Sequence, residues 1–271
     1  MMAFLRKYEV WCFMGLIIVV NTLFVSGIVF KILPNGLYSY GRFALLGGTL
    51  AGVVLLARGW PGIVDLLRPM TEWRRPAWMY LLALVCNPLV CLLVLSGISL
   101  ATVGRLPDIQ LKYSVLTRPD VAMIILFSSL VGEIAWISYA VRRLSTRFTP
   151  YVSAVIVGAV WTAWWAPMAI YGYGIVPGLP LAGLLFNQIG VAAVCTFVYM
   201  HTRSGLLVLC AQLAFNSSIL IFPVMPTDGG LQTYWIFAIT YFLVSMLLFV
   251  IFGPKPVFSR RQPEEDAAVR A

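Results

Sequence analysis

The sequence contains few charged residues. Aspartate, glutamate, lysine and arginine make up 11% of its 271 residues, whereas hydrophobic residues make up 61%. About a quarter of the residues in a soluble globular protein are charged, so this chain lacks the polar surface that such a protein needs. Together with a mean hydropathy of +0.92, this composition predicts an all-α protein that crosses a lipid bilayer several times.

Residues that bind metals or form disulfides are also scarce. His201 is the only histidine, and a catalytic zinc needs three protein ligands. The cysteines are odd in number, form no CxxC pair and lie in apolar stretches, so we interpret them as small core residues. The sequence therefore predicts neither a metal site nor a cofactor. The five cysteines are Cys12, Cys86, Cys91, Cys195 and Cys210.

The net charge of +9 does not indicate a nucleic-acid partner. Lysines and arginines lie at the edges of apolar runs and form no basic stripe with interleaved aromatic residues. If the N-terminus is cytoplasmic, fourteen of them fall on the cytoplasmic side and five on the other. Cytoplasmic loops carry the excess of positive charge, so both termini are predicted to be cytoplasmic.

Eight segments are long enough to cross a bilayer, which takes about 20 apolar residues. No charged residue occurs between Arg147 and Arg203, and the breaker-rich stretch GYGIVPGLP at 172–180 divides this interval into two helices. The second span contains Arg42 near one end. The other six predicted spans are residues 10–30, 36–57, 76–104, 121–141, 204–222 and 231–252.

The sequence contains no repeats and no glycine- or serine-rich linkers. It therefore predicts one transmembrane domain, residues 1–258. A short amphipathic helix is expected near 61–68, between the second and third spans. The first apolar run has full span length and no cleavage pattern, so no signal peptide is predicted. Residues 259–271 are expected to form a disordered cytoplasmic tail.

One carboxylate, Glu133, lies near the middle of the apolar segment VGEIAWISYAVRRL. The other nine acidic residues lie in loops, tails or span ends. A carboxylate at the bilayer centre costs about 2.5 to 3.5 kcal/mol on insertion scales and often marks a functional site. Glu133 is therefore either a functional acid facing the bundle interior or a protonated acid hydrogen-bonded to a neighbour such as Ser129.

Two further groups of polar or aromatic residues lie within spans. Gln212 and Asn216 are four residues apart, so they share a helix face. They could form a site or hydrogen bonds between helices. Trp161, Trp164 and Trp165 cluster in the fifth span, where they could line a cavity or provide packing bulk.

These segments, in this order, resemble the motifs of the CAAX prenyl endopeptidase and bacteriocin-processing family, also described as Abi proteins. The resemblance rests on GEIAWI followed by RRL, on WTAWW, and on TRSGLL followed by QLAFN. It covers about residues 125–222 and, more weakly, RGWPGIVDLLRPMTEWRRP. It implies an eight-helix CAAX-protease-like bundle, a motif-bearing core at about 121–222, and intramembrane proteolysis.

The resemblance also assigns the first two catalytic motifs. The first is Glu-Glu-x-x-x-Arg, whose leading Glu activates the attacking water; here the three positions are Gly132, Glu133 and Ile137. The second motif ends in a His that helps to hold the water, and this position is Trp165. Gly132 has no side chain, and an indole can donate a hydrogen bond but cannot accept a proton, so the base is missing from the expected place.

The third family motif is His-x-x-x-Asn, whose side chains polarise the scissile carbonyl. It corresponds here to Gln212 and Asn216. Three of the four catalytic positions implied by the resemblance are thus replaced, and only Asn216 is retained. Loss of a general base typically costs ~10²- to 10⁴-fold in rate.

The leading hypothesis is a degenerate family member that keeps the fold, has lost or reduced peptidase activity, and binds a membrane peptide, lipid or protein in the old cavity. Trp165 would then occupy that cavity, and Trp136, Trp161 and Trp164 are candidates to line it. The resemblance and the charge bias favour a bacterial inner membrane.

Two alternatives stay open. The first is an active endopeptidase in which Glu133 is the base and Gln212 and Asn216 stabilise the oxyanion, which requires all three around one wet cavity. Because neighbouring helix residues point about 100° apart, Glu133 could replace an acid at position 132 only if the helix were shifted. The second is a small transporter with Glu133 as an ion or proton site, which requires openings on both faces.

Overall fold

The computed structural model describes residues 2–174 and 178–258. These residues form helices joined by short connections, and no β-strand occurs among them. Three short 3₁₀ turns occupy Asn35–Leu37, Arg68–Thr71 and Tyr113–Val115. The helices are α1 (Met2–Val29), α2 (Tyr38–Arg58), α3 (Trp60–Leu67), α4 (Ala77–Val103), α5 (Pro119–Gly132), a π-helical segment (Glu133–Val141), α6 (Arg142–Leu144), α7 (Pro150–Tyr171), α8 (Leu181–Thr202), α9 (Gly205–Ile221) and α10 (Pro226–Phe252).

Within the described residues, seven helical units are long and apolar enough to cross a membrane, and α9 is a shorter apolar helix. The unit formed by α5, the π-helical segment and α6 counts as one span, Pro119–Leu144. The predicted all-α polytopic fold is therefore confirmed. The eight predicted spans correspond to these eight units; the last helix, Pro226–Phe252, has a kink at Gly230 (φ 81°), directly before the predicted span at 231–252.

The predicted breaks between helices are also found. Helix α7 ends at Tyr171, where Gly172 takes the left-handed conformation that favours glycine, and α8 begins at Leu181. The loop helix predicted near 61–68 is α3. The tail at 259–271, which is predicted to be disordered, lies outside the described residues.

Helices α1 and α2 run in opposite directions, since Glu9 near the start of α1 contacts Arg58 at the end of α2. We call the end of the bundle that holds the start of α1 and the α2–α3 connection the proximal end. The distal end holds the α1–α2 and α7–α8 connections.

Helix α8 lies at the centre of the bundle. Of an 18-residue apolar stretch of this helix, 72% is buried, a larger share than in the other long helices. Glycines permit its close packing against its neighbours, as small residues often do in membrane bundles. A Cβ added to Gly158 of α7 would lie 2.5 Å from the Ile189 backbone, and one added to Gly190 would lie 2.5 Å from the Tyr241 ring of α10. Helix α8 is thereby held close to both α7 and α10.

A network of ion pairs joins four elements at the proximal end. Arg58 of α2 contacts Glu9 of α1 at 3.0 Å and Asp65 of α3 at 2.9 Å, and Arg142 of α6 contacts the same Asp65 carboxylate at 2.8 Å. Tyr139 donates a further hydrogen bond to Glu9 at 3.0 Å. We call Glu9, Arg58, Asp65 and Arg142 the proximal charge cluster.

The chemistry of the cluster is visible at Asp65, which lies outside the membrane-spanning helices. Partial burial alone would raise the pKa of this carboxyl group, but Arg142 and Arg58 outweigh it and hold the pKa below its ordinary value. Each arginine of the cluster therefore has a carboxylate partner.

Candidate functional site

A cavity of about 390 Å³ lies between α2, α5, α7 and α9 in the distal half of the bundle. This volume falls within the roughly 300 to 1,000 Å³ that is typical of small-molecule sites. Two exposed residues, Ser39 and Gly174, belong to its lining, so the cavity reaches the surface at the distal end. The other lining residues are Tyr38, Arg42, Phe43, Ile124, Ile125, Ser128, Gly132, Trp136, Trp161, Trp165, Gln212, Asn216, Ile219 and Leu220.

Four of the motif positions converge on this cavity from three helices. Gly132 comes from α5, Trp165 from α7, and Gln212 and Asn216 from α9. A Cβ added to Gly132 would lie 3.0 Å from the side-chain amide of Gln212. Helices α5 and α9 therefore approach each other closely at the glycine that stands at the family's base position.

The two amides hold α9 against α5. Asn216 donates from Nδ2 to the Ser129 hydroxyl at 2.8 Å. In the orientation that satisfies both of its amide atoms, Gln212 donates to the Ser129 carbonyl at 3.3 Å and accepts from the Glu133 N–H at 3.2 Å. Both side chains thus form hydrogen bonds between helices while they also line the cavity.

Tryptophans form much of the inner wall. Trp136 and Trp161 line the cavity and stack with their ring centroids 5.8 Å apart. Trp164, which was also expected to line it, is fully buried and packs behind the wall against Trp165. Trp165, the indole expected to occupy the site, lines the cavity.

Glu133 points away from the cavity. Its side chain is fully buried and accepts a hydrogen bond from Ser138, and a Cβ added to Gly205 at the start of α9 would lie 2.9 Å from its Oε1. The partner is therefore Ser138, not Ser129, which pairs with Asn216. The carboxylate is not among the groups that line the cavity.

The π-helical segment explains this orientation. In an α-helix, residues five apart point about 140° away from each other. A π-helix forms hydrogen bonds from i to i+5, so Ser138 comes onto the same face as Glu133. The helix does change its winding here, as use of Glu133 as the base would require, but the carboxylate turns toward Ser138 and the start of α9.

The other two sequence candidates lie elsewhere. Ile137, at the position of the family's Arg, is fully buried in the core and is not part of the cavity lining. His201 is exposed near the end of α8, where its Nδ1 lies 2.8 Å from the Phe197 carbonyl oxygen. These positions leave both residues outside the cavity.

Sequence reasoning missed the most unusual polar group of the site, Arg42. Its side chain lines the cavity and is only 2% exposed. Its partners are neutral: Nε donates to Asn21 Oδ1 at 3.2 Å, and Nη1 donates to the Tyr38 hydroxyl at 3.4 Å. The available signal was an arginine within a predicted span.

The lining residues determine the chemistry that the cavity can offer. Among the described residues that line the cavity, none is an aspartate, glutamate or histidine, the usual side chains that could deprotonate a water. Hydrogen-bond donors are present in Arg42 and Asn216, Ser128 donates to the Ile125 carbonyl of its own helix, and apolar and aromatic groups cover most of the rest. This mixture is typical of a binding pocket.

Comparison with models of protein families and with curated proteins gave no match.

Proposed function

We propose that this protein is an integral membrane binding protein with a CAAX-protease-like bundle, in which peptidase activity is lost or much reduced. The observation that carries the proposal is the convergence of Gly132, Trp165, Gln212 and Asn216 on one cavity. At these positions, the family that the chain resembles carries its catalytic groups. Gly132, Trp165 and Gln212 differ from the residues that the family carries there, so the four positions surround one cavity but the general base is missing.

The position of Glu133 favours binding over proteolysis. An endopeptidase that used this acid would need its carboxylate beside the two amides, facing a cavity that admits water. In the structure the carboxylate faces Ser138 and Gly205, and Gly132 stands in the cavity wall. The natural occupant is a membrane peptide or lipid, because the cavity lies within a bundle of apolar helices.

We further propose that the N- and C-termini lie in the cytoplasm of a bacterium and that the protein resides in the inner membrane. The excess of lysine and arginine at the proximal end and in the tail supports this orientation. The cavity would then reach the side of the membrane opposite the cytoplasm.

The test is cleavage of a broad peptide library by the purified protein in lipid nanodiscs, with Glu133→Gln and Trp165→His in parallel. The native protein is expected to show no turnover above empty nanodiscs. Trp165→His restores one family group and is expected to stay inactive, since the base remains absent. Turnover by the native protein that Glu133→Gln abolishes would show that the acid is catalytic and would overturn the proposal.

A second measurement addresses binding directly. Native mass spectrometry of protein released from nanodiscs is expected to show a retained peptide or lipid. Ser128→Phe, which places a ring in the cavity, should remove this adduct. An adduct that is unaffected by Ser128→Phe would mean that the occupant lies outside the cavity.

A further inference from the structure

Arg42 is a buried cation for which the described residues provide no anion. None of the ion pairs among them includes Arg42, and no hydrogen-bond partner is found for its Nη2 atom. Burying an unpaired charge is costly unless a counterion compensates it. Charged residues within membrane spans usually face such partners or a functional site.

The surroundings hold the guanidinium in place without neutralising it. Its central carbon lies 3.9 Å from the centre of the Trp164 ring and 4.5 Å from that of Trp165, which fits a cation–π contact on each indole. Asn21 and Tyr38 accept its hydrogen bonds. Asn21 is fixed in turn because it donates to the Trp164 carbonyl at 2.7 Å.

An arginine that only reached for lipid headgroups at the bilayer surface would look different. Such side chains extend toward water and keep their charged end exposed. Arg42 is instead covered, and Tyr38 above it donates to the Gly174 carbonyl of the α7–α8 connection at 3.0 Å. Its charge is directed to the interior of the bundle, where the cavity lies.

The other residues that line the cavity indicate which groups the bound anion contains besides its charge. Ser128 and Asn216 provide polar groups, whereas Ile124, Ile219 and Leu220 give the wall an apolar surface. One cation matches one negative charge, and the planar fork of a guanidinium suits carboxylate or phosphate oxygens. The indoles of Trp136, Trp161 and Trp165 suit a hydrocarbon chain.

We infer that the cavity binds a single-chain amphiphilic oxyanion, whose charged group pairs with Arg42 and whose apolar chain lies against the tryptophan wall. This inference rests on the proposed binding function and names the class of ligand. The oxyanion can be a carboxylate or a phosphate, since both satisfy the same donors.

The test measures quenching of tryptophan fluorescence by 11-bromoundecanoate, because the bromine quenches indoles that it contacts. Its uncharged methyl ester is the matched neutral probe, and the protein is held in phosphatidylcholine nanodiscs. We expect saturable quenching by the anion at a concentration about tenfold or more below that of the ester, as a charge-assisted hydrogen bond would give. Equal affinities for the two probes would overturn the inference.

Variants distinguish the contribution of the Arg42 charge to binding from that of the space in the cavity. Arg42→Gln should abolish the preference for the anion, Arg42→Lys should keep most of it, and Ser128→Phe should prevent binding of both probes. Arg118→Gln is the control, because Arg118 lies at the same end of the bundle but is exposed and paired with Asp120. A preference for the anion that persists in Arg42→Gln would overturn the inference. If Arg42→Gln does not fold, the inference is still tested by the two probes on the native protein and by the Arg42→Lys and Ser128→Phe variants.

Competition identifies the source of the oxyanion. Dodecyl phosphate and dodecanoate should both displace the probe, whereas inorganic phosphate and acetate should not. Displacement by inorganic phosphate at equal concentration would show that the apolar chain is unnecessary and would overturn the inference. Saturable binding of the ester alone would also overturn the inference about the ligand, but it would leave the proposed binding function intact. The proposed function fails separately if the native protein cleaves the peptide library.

Discussion

The two ends of the bundle treat buried arginine in opposite ways. At the proximal end, Arg58 and Arg142 each pair with a carboxylate, and the pairs connect α1, α2, α3 and α6. At the distal end, Arg42 is more deeply buried but contacts only neutral groups and indole rings. The charge of the proximal arginines is therefore compensated within the fold, whereas the charge of Arg42 is left for a ligand.

The largest effect should follow from removing a proximal arginine. Arg58→Met leaves Glu9, whose side chain is only 8% exposed, without its ion-pair partner. We expect the free energy of unfolding to fall by about 2 to 3 kcal/mol, somewhat below the range for fully buried pairs because Arg58 is partly exposed. Unfolding in mixed micelles with increasing dodecyl sulfate measures the change.

Arg118→Met is the matched control for that experiment, since Arg118 pairs with Asp120 in an exposed position. It should leave unfolding unchanged, as exposed ion pairs contribute little. An unchanged free energy of unfolding in Arg58→Met would mean that the proximal charge cluster does not stabilise the fold.

Acidification should weaken the proximal end by a smaller amount. The pKa of Asp65 is lower in the folded protein than its ordinary value, so its stabilising contribution is present above an unfolded-state pKa of about 4 and is lost as the pH falls through the folded-state pKa. Because Asp65 is partly exposed and screened by solvent, the loss should not exceed about 1 kcal/mol.

The measurement is the unfolding midpoint between pH 6 and pH 3 for the native protein and for Asp65→Asn. The variant should be less stable at pH 6 and should show a weaker dependence on pH below 4. Identical pH profiles for the two proteins would exclude Asp65 as a source of acid sensitivity.

The smallest effect is expected at the distal end. Arg42→Met removes a buried charge that has no carboxylate partner, so relief of the burial cost offsets the loss of hydrogen bonds and cation–π contacts. The free energy of unfolding should therefore change by less than about 1 kcal/mol, measured as for Arg58→Met. A loss as large as that of Arg58→Met would show that Arg42 is a structural residue and would remove the contrast between the two ends.

The candidate site could be predicted from the sequence only in part. The spacing of Gln212 and Asn216 placed them on one face of α9, and the family resemblance selected Gly132 and Trp165, which line the same cavity. The depth of Glu133 was also predictable from its place in an apolar run. Its direction was not, because a π-helical segment with few local sequence signals turns the carboxylate toward Ser138.

From the sequence alone it follows that this chain forms apolar helices and where the main breaks between them lie. Segments of about 20 uncharged residues must satisfy their backbone hydrogen bonds internally in a membrane, and Gly172 and its neighbours interrupt them. The contact of Arg42 of α2 with the indoles of α7, beside the cavity lined by α5 and α9, is visible only in the tertiary structure. Such contacts depend on how each helix is rotated and which helices pack together, and those choices arise from side chains far apart in the sequence.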